Sequence, residues 1–159
     1  MTHLRSMAAM LVMSSVAFTT LSPSQSSKVL LPNDFTLELL GRCLLYSFSY
    51  QRTITPNFGI ELGGSLLGGS GASVAFISVG PRLYASKGNA SPCVAGGIVL
   101  VSGSTSSGPF DNGTSTSYGY IGPGFEYRSD GGFLFRGTVY FLIRDGFFVW
   151  PGLQIGIAF

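Results

Sequence analysis

The stretch Pro151-Gly152-Leu153-Gln154-Ile155-Gly156-Ile157-Ala158-Phe159 alternates strictly, with Leu153, Ile155, Ile157 and Phe159 on one parity and Gln154, Gly156 and Ala158 on the other. Successive side chains of a strand point to opposite faces, so this segment carries one greasy face and one small or polar face. The same period recurs from Leu31 onward, broken by turn signals. It predicts eight strands, at 35–40, 44–51, 58–66, 74–85, 93–101, 118–127, 133–141 and 153–159. An aromatic closing the last greasy face suits the polar–apolar boundary of a bilayer.

Which face meets water decides the fold. Only 10% of the residues are charged, against about 25% in an ordinary soluble domain. The less apolar faces are mostly Gly, Ser and Ala, with Ser47, Ser49, Gln51, Thr138 and Gln154. Five mid-strand charges fall on those faces: Glu38, Glu61, Arg82, Glu126 and Arg136. Turned inward, they spare hydrocarbon any charge, where Arg would cost about 2–4 kcal/mol. No apolar run reaches the roughly 18 residues of a membrane-spanning helix. The expectation is an all-β fold: an eight-stranded antiparallel up-and-down transmembrane β-barrel over residues 35–159, preceded by a signal peptide. A soluble lipocalin-like carrier of a small apolar ligand would reverse the two faces.

Residues 1–27 read as the signal peptide and a mobile lead-in. Met1 to Arg5 form a weakly basic start, Met7 to Phe18 an apolar stretch, and Ser15-Val16-Ala17 a small-residue cleavage site; cleavage nearer Ser27 is the alternative. The only histidine, His3, would leave with it, so no His-dependent hydrolase or His-containing metal site is expected. No catalytic residue, cofactor or metal site is expected elsewhere. A net charge of +2 without a basic patch speaks against nucleic acid. Gly68 to Ala72 lacks the Lys-Ser/Thr and helix of a phosphate-binding loop.

Thr55-Pro56-Asn57, Lys87-Gly88-Asn89 and Ser129-Asp130-Gly131-Gly132 read as tight turns. Strand parity places all three at the end where Phe159 lies, the periplasmic end in an outer-membrane barrel. Gly41-Arg42 is a very short return at the opposite end. Aromatics flank the connections. Tyr50, Phe58, Tyr127, Phe133 and Phe159 would form a periplasmic girdle, and Trp150 with Phe141, Phe147 and Phe148 an outer one.

An eight-stranded lumen is just wide enough to be filled by side chains. Arg82 and Arg136 are therefore expected to bridge among Glu38, Glu61 and Glu126, as a structural network or as the gate of a narrow channel. Cys43 and Cys93 fall at opposite ends of the barrel, beyond the ~7 Å Cα limit of a disulfide, and are expected as free thiols facing the lumen. The polar stretch 102–117 reads as an outer loop that could meet a surface partner.

Leu37-Glu38-Leu39-Leu40-Gly41-Arg42 followed by Leu44-Leu45-Tyr46-Ser47 resembles the opening of small, mostly uncharacterised Gram-negative outer-membrane β-barrel proteins. Asp130-Gly131-Gly132-Phe133-Leu134-Phe135-Arg136 and Trp150-Pro151-Gly152-Leu153 resemble their closing hairpin. More broadly, residues 35–159 are similar to the superfamily of outer membrane proteins A and X. The resemblance implies outer-membrane lipid around the barrel and insertion machinery reading the C-terminal strand. That strand has Gln154 where the family's assembly signal has Gly, so its recognition would rest on Ile157 and Phe159. No catalytic motif comes with the resemblance, only a structural or surface-interaction role.

Overall fold

The computed structural model describes residues 27–69, 72–105 and 114–159. The expected signal peptide, up to residue 26, lies outside them. A helical turn, α1 (Ser27–Leu30), leads into β1 (Asn33–Leu40) and a 3-10 turn (Gly41–Cys43). There follow β2 (Tyr46–Thr55), β3 (Phe58–Gly69), β4 (Ala72–Tyr84), β5 (Ala90–Thr105), β6 (Thr114–Arg128), β7 (Phe133–Ile143) and β8 (Phe147–Ala158). Each strand pairs antiparallel with the next and β8 returns to β1, closing the barrel. Closure leaves no sheet edge, which is the condition for a sheet to sit in hydrocarbon.

The strands keep the two-residue alternation over most of their length, with the apolar parity facing out, and β8 departs from it at its start, where Phe147, Phe148 and Val149 are all exposed. Leu62, Ile77, Phe125, Phe133 and Ile157 are about half exposed, while Glu61, Ser78, Glu126 and Gln154 beside them are buried. A water-soluble protein rarely exposes so continuous an apolar surface. The barrel is thus greasy outside and polar inside, the reverse of a soluble carrier.

Several boundaries differ from the sequence expectation. β5 and β6 extend through 102–105 and 114–117, so the expected outer loop 102–117 shrinks to residues 106–113, which lie outside the described residues. β8 begins at Phe147 rather than Leu153 because Pro151 does not stop it. β1 ends at Leu40, opposite Gly152, so Pro151 lies where β8 has lost that neighbour. A residue without an N–H is tolerated on such a flank.

The tight turns sit at one end, with Gly132 at φ +87 receiving the Ala158 amide on its carbonyl at 2.6 Å. The short return after β1 behaves differently. Leu40 and Leu44 both adopt positive φ, 59 and 74, which is costly for residues with a Cβ. The chain between them turns into the lumen and buries Arg42 and Cys43 completely. This segment fills the barrel mouth instead of forming an outer loop.

Candidate functional site: a lumen filled in two halves

Toward the tight-turn end the lumen is ionic. Among the described residues Lys28, Arg42, Arg82, Arg128 and Arg136 are buried with Asp34, Glu38, Glu61 and Glu126. Arg136 spans Glu126 Oε2 at 2.5 Å and Asp34 Oδ2 at 2.8 Å, and donates to Gln154 Oε1 at 3.2 Å. Arg128 reaches the same Asp34 oxygen at 2.6 Å and donates to the Leu31 carbonyl at 2.7 Å. Tyr84 donates its hydroxyl to Glu126 Oε2 at 2.7 Å and accepts from Gln51 Nε2 at the same distance.

Glu61 stands near the middle, between two guanidinium groups: Arg82 at 2.7 Å and Arg42 at 2.5 Å. Each of its oxygens is engaged, and Gly63 beside it keeps room for Ser49 and Ser78, whose hydroxyls would lie 2.8 and 2.7 Å from an added Cβ. Glu38 differs from the sequence expectation. Neither Arg82 nor Arg136 bridges it. Its salt bridge is to Arg42 at 3.2 Å, and Tyr140, Gln154 and Ser47 donate to it at 2.8, 3.0 and 3.0 Å. The other four expected members are in the network as two pairs, Arg82–Glu61 and Arg136–Glu126, and the structure adds Lys28, Asp34, Arg42 and Arg128.

Toward the opposite end the filling turns apolar and aromatic. Phe76, Val99, Tyr120, Tyr140 and Leu142 pack with Cys43 and Ala95 in one buried cluster. Tyr120 and Tyr140 meet edge to face at 5.7 Å. Tyr118 donates its hydroxyl to the Arg42 carbonyl, tying the buried 3-10 turn to β6. The thiols of Cys43 and Cys93 are free and buried, and Cys93 lies 3.6 Å from Arg82.

Chain enters the lumen from both ends. At the tight-turn end α1 enters the barrel. Lys28 Nζ donates to the Ser86 carbonyl at 3.2 Å, lies 3.9 Å from Glu126 Oε1 and sits 3.9 Å over the Tyr84 ring. Its burial lowers its pKa to about 8, with Glu126 opposing that shift. At the other end the 3-10 turn carries Arg42 inward.

Of the expected interface aromatics, Tyr50, Tyr127, Phe133 and Phe159 are exposed, and Phe58 and Trp150 are half-buried. Trp150 stacks on Phe148 at 5.4 Å and donates to the Leu44 carbonyl at 3.0 Å. Among the described residues no group of His, Cys, Asp or Glu is arranged to hold a metal.

A closed, side-chain-filled eight-stranded barrel with an apolar outer wall has the fold of an outer-membrane β-barrel. Comparison with solved structures agrees. The N-terminal β-barrel domain of Pseudomonas aeruginosa OprF superposes with a TM-score of 0.61 at 15% identity, over 80% of this chain and 95% of that one. The Yersinia pestis outer membrane protein Ail in a phospholipid bilayer nanodisc gives a TM-score of 0.51 at 12% identity, over 80% of this chain and 98% of that one. At these identities the likeness is one of fold. No protein-family model matches the chain. No curated protein matches it in sequence either.

Proposed function

We propose that this chain is an integral outer-membrane protein, inserted through its C-terminal strand, with a structural or surface-interaction role and no catalysis. The observation that carries this reading is the continuous apolar outer wall around a closed barrel. The filled lumen speaks against solute passage: nine ionisable side chains pair across it, and buried residues of α1 and of the 3-10 turn enter it from its two ends. The same buried side chains occupy the interior where a lipocalin-like carrier would hold its ligand. In this reading lipid surrounds the wall, and the loop between β5 and β6 offers the surface for a partner.

The test is electrophoretic mobility of the refolded protein in SDS, with and without boiling. A closed sheet resists SDS until heated because its backbone groups are internally paired. A shift on boiling is expected, with no conductance steps in planar bilayers. Unchanged mobility together with solubility in detergent-free buffer would overturn the membrane reading, and discrete conductance would overturn the filled-lumen reading.

A further inference from the structure

Among the buried arginines of the lumen, one is held differently from the rest. Arg82, Arg128 and Arg136 project from β4, β6 and β7, whose ladders hold them in place. Arg42 instead hangs on the turn Gly41–Cys43, between the end of β1 and the start of β2. Its guanidinium fills a built site. Nε lies 3.2 Å from Glu38 Oε2, and Nη2 donates to Glu61 Oε1 at 2.5 Å and to Ser49 Oγ at 2.7 Å. Nη1 donates to the Tyr120 hydroxyl at 3.4 Å, and the cation sits 5.7 Å from that ring. Glu38, Ser49, Glu61 and Tyr120 belong to β1, β2, β3 and β6, so the site does not depend on the turn for its walls. The turn is strained at both hinges. Leu44 (φ 74, ψ −68) makes a γ-turn of the rare, strained hand, with the Leu45 amide donating to the Cys43 carbonyl at 3.1 Å. Leu40 (φ 59, ψ −136) lies beside a region that glycine alone adopts freely.

We propose that the 3-10 turn is a displaceable plug: Arg42 occupies a guanidinium site, and an arginine side chain of a protein partner at the loop end takes its place while the turn swings out. The proposal deepens the surface-interaction reading above and rests on it. The site selects the ligand. Two carboxylates, a serine hydroxyl and an aromatic ring surround one planar cation, and among side chains only another guanidinium presents the same fork. Exchange keeps both carboxylates paired, which avoids a buried unpaired charge. Exit of the turn breaks no strand ladder, because β1 ends at Leu40 and β2 begins at Tyr46. A hollow of about 350 Å³ at the mouth, bordered by Leu44, Tyr118 and Leu142, gives the turn room to move. The turn gives up the Tyr118 bond to the Arg42 carbonyl and the Trp150 bond to the Leu44 carbonyl. It regains relaxed backbone at Leu40 and Leu44, and strain of this kind is a mark of switch segments.

Cys43 rides on the turn and is fully buried, so its alkylation reports release. The chain has two cysteines, and Cys93→Ser leaves Cys43 as the one thiol. This protein is refolded in detergent micelles, its barrel is checked by the mobility shift on boiling, and its reaction with a maleimide is timed in methylguanidinium or methylammonium chloride at equal concentration. Labelling should be slow, and should rise saturably, about tenfold, with methylguanidinium but not with methylammonium, which carries the charge without the fork. Arg42→Gln should label about tenfold faster with neither salt added. Leu44→Gly, which relieves the γ-turn, should label about fivefold more slowly, and it decides the matter where Arg42→Gln does not refold. An equal response to both salts would overturn the guanidinium site. Labelling that ignores methylguanidinium, or that Leu44→Gly does not slow, would overturn the plug, and a retained mobility shift would leave the membrane barrel standing. Loss of that shift in the parent protein would overturn the membrane reading itself.

Discussion

The two halves of the lumen solve one problem with opposite chemistries. Near the tight turns the cross-section is filled by guanidinium–carboxylate pairs, and near the loops by Phe76, Val99, Tyr120, Tyr140 and Leu142. The difference lies in what each half tolerates. An ionic filling fails when one partner is lost, because the remaining charge stays buried. An aromatic filling fails with lost volume. Glu38 joins them: it pairs with Arg42, which the 3-10 turn carries in from the loop end, and it accepts from the Tyr140 hydroxyl on the aromatic side.

The largest effect that separates the halves is expected at Glu61. Its replacement by Gln strands the fully buried Arg82, whose salt bridge it makes, and leaves Arg42 with Glu38 alone, and should cost about 3–5 kcal/mol. Urea unfolding of the protein refolded in lipid vesicles measures this. A loss under about 1 kcal/mol, the scale of an exposed pair, would mean that water reaches the network and that the ionic half is not sealed.

Tyr140→Phe sharpens the comparison at the junction. It keeps the ring's edge-to-face contact with Tyr120 and removes only the hydroxyl that donates to Glu38 at 2.8 Å. The loss should be about 1.5–3 kcal/mol, the worth of a hydrogen bond to a charged group. The same unfolding experiment reads it. A neutral result would detach the aromatic half from the network and make the ring's packing its whole contribution.

The two halves were unequally legible in the sequence. Isolated charges inside alternating strands announce themselves, so Glu38, Glu61, Arg82, Glu126 and Arg136 stood out. The missed charges all lie at element ends. Asp34 precedes the expected start of β1, Arg128 follows the expected end of β6, Arg42 belongs to the expected return between β1 and β2, and Lys28 lies just past the lead-in. A side chain's direction cannot be assigned by parity once the strand is taken to have ended. The aromatic half was hidden for another reason. An apolar side chain on the lumen-facing parity carries no mark of its own, since that face reads as Gly, Ser and isolated charges. Yet Phe76 and Tyr84 share parity with Arg82, Tyr120 with Glu126, and Leu134, Tyr140 and Leu142 with Arg136. Parity with a buried charge is the stronger signal, since a charge has far more to lose by facing lipid than an aromatic has by facing in. The 3-10 turn was beyond such reasoning, because its inward course depends on partners from distant strands.

The smallest expected effect concerns the end of the ionic half, where α1 enters the lumen. Lys28 carries a pKa lowered to about 8, chiefly by its burial. In the unfolded or undocked chain it titrates near 10.5. Between these values the undocked state holds a proton that the docked state lacks, so docking strengthens as pH rises from about 8 toward 10.5 and levels off above. Below 8 Lys28 is charged in both states and docking is insensitive to it. Deprotonation also balances the lumen: the five buried cations fall to four, matching Asp34, Glu38, Glu61 and Glu126. Hydrogen exchange of the amides at 28–33, corrected for the intrinsic rate, should therefore show protection rising above pH 8. Lys28→Met, which keeps the stem and removes the charge, should remove that pH dependence. Protection that falls as pH rises through 8 would mean that the Glu126 and Tyr84 contacts outweigh the burial of the ammonium, and that the ionic rule of the lumen extends unchanged to its mouth.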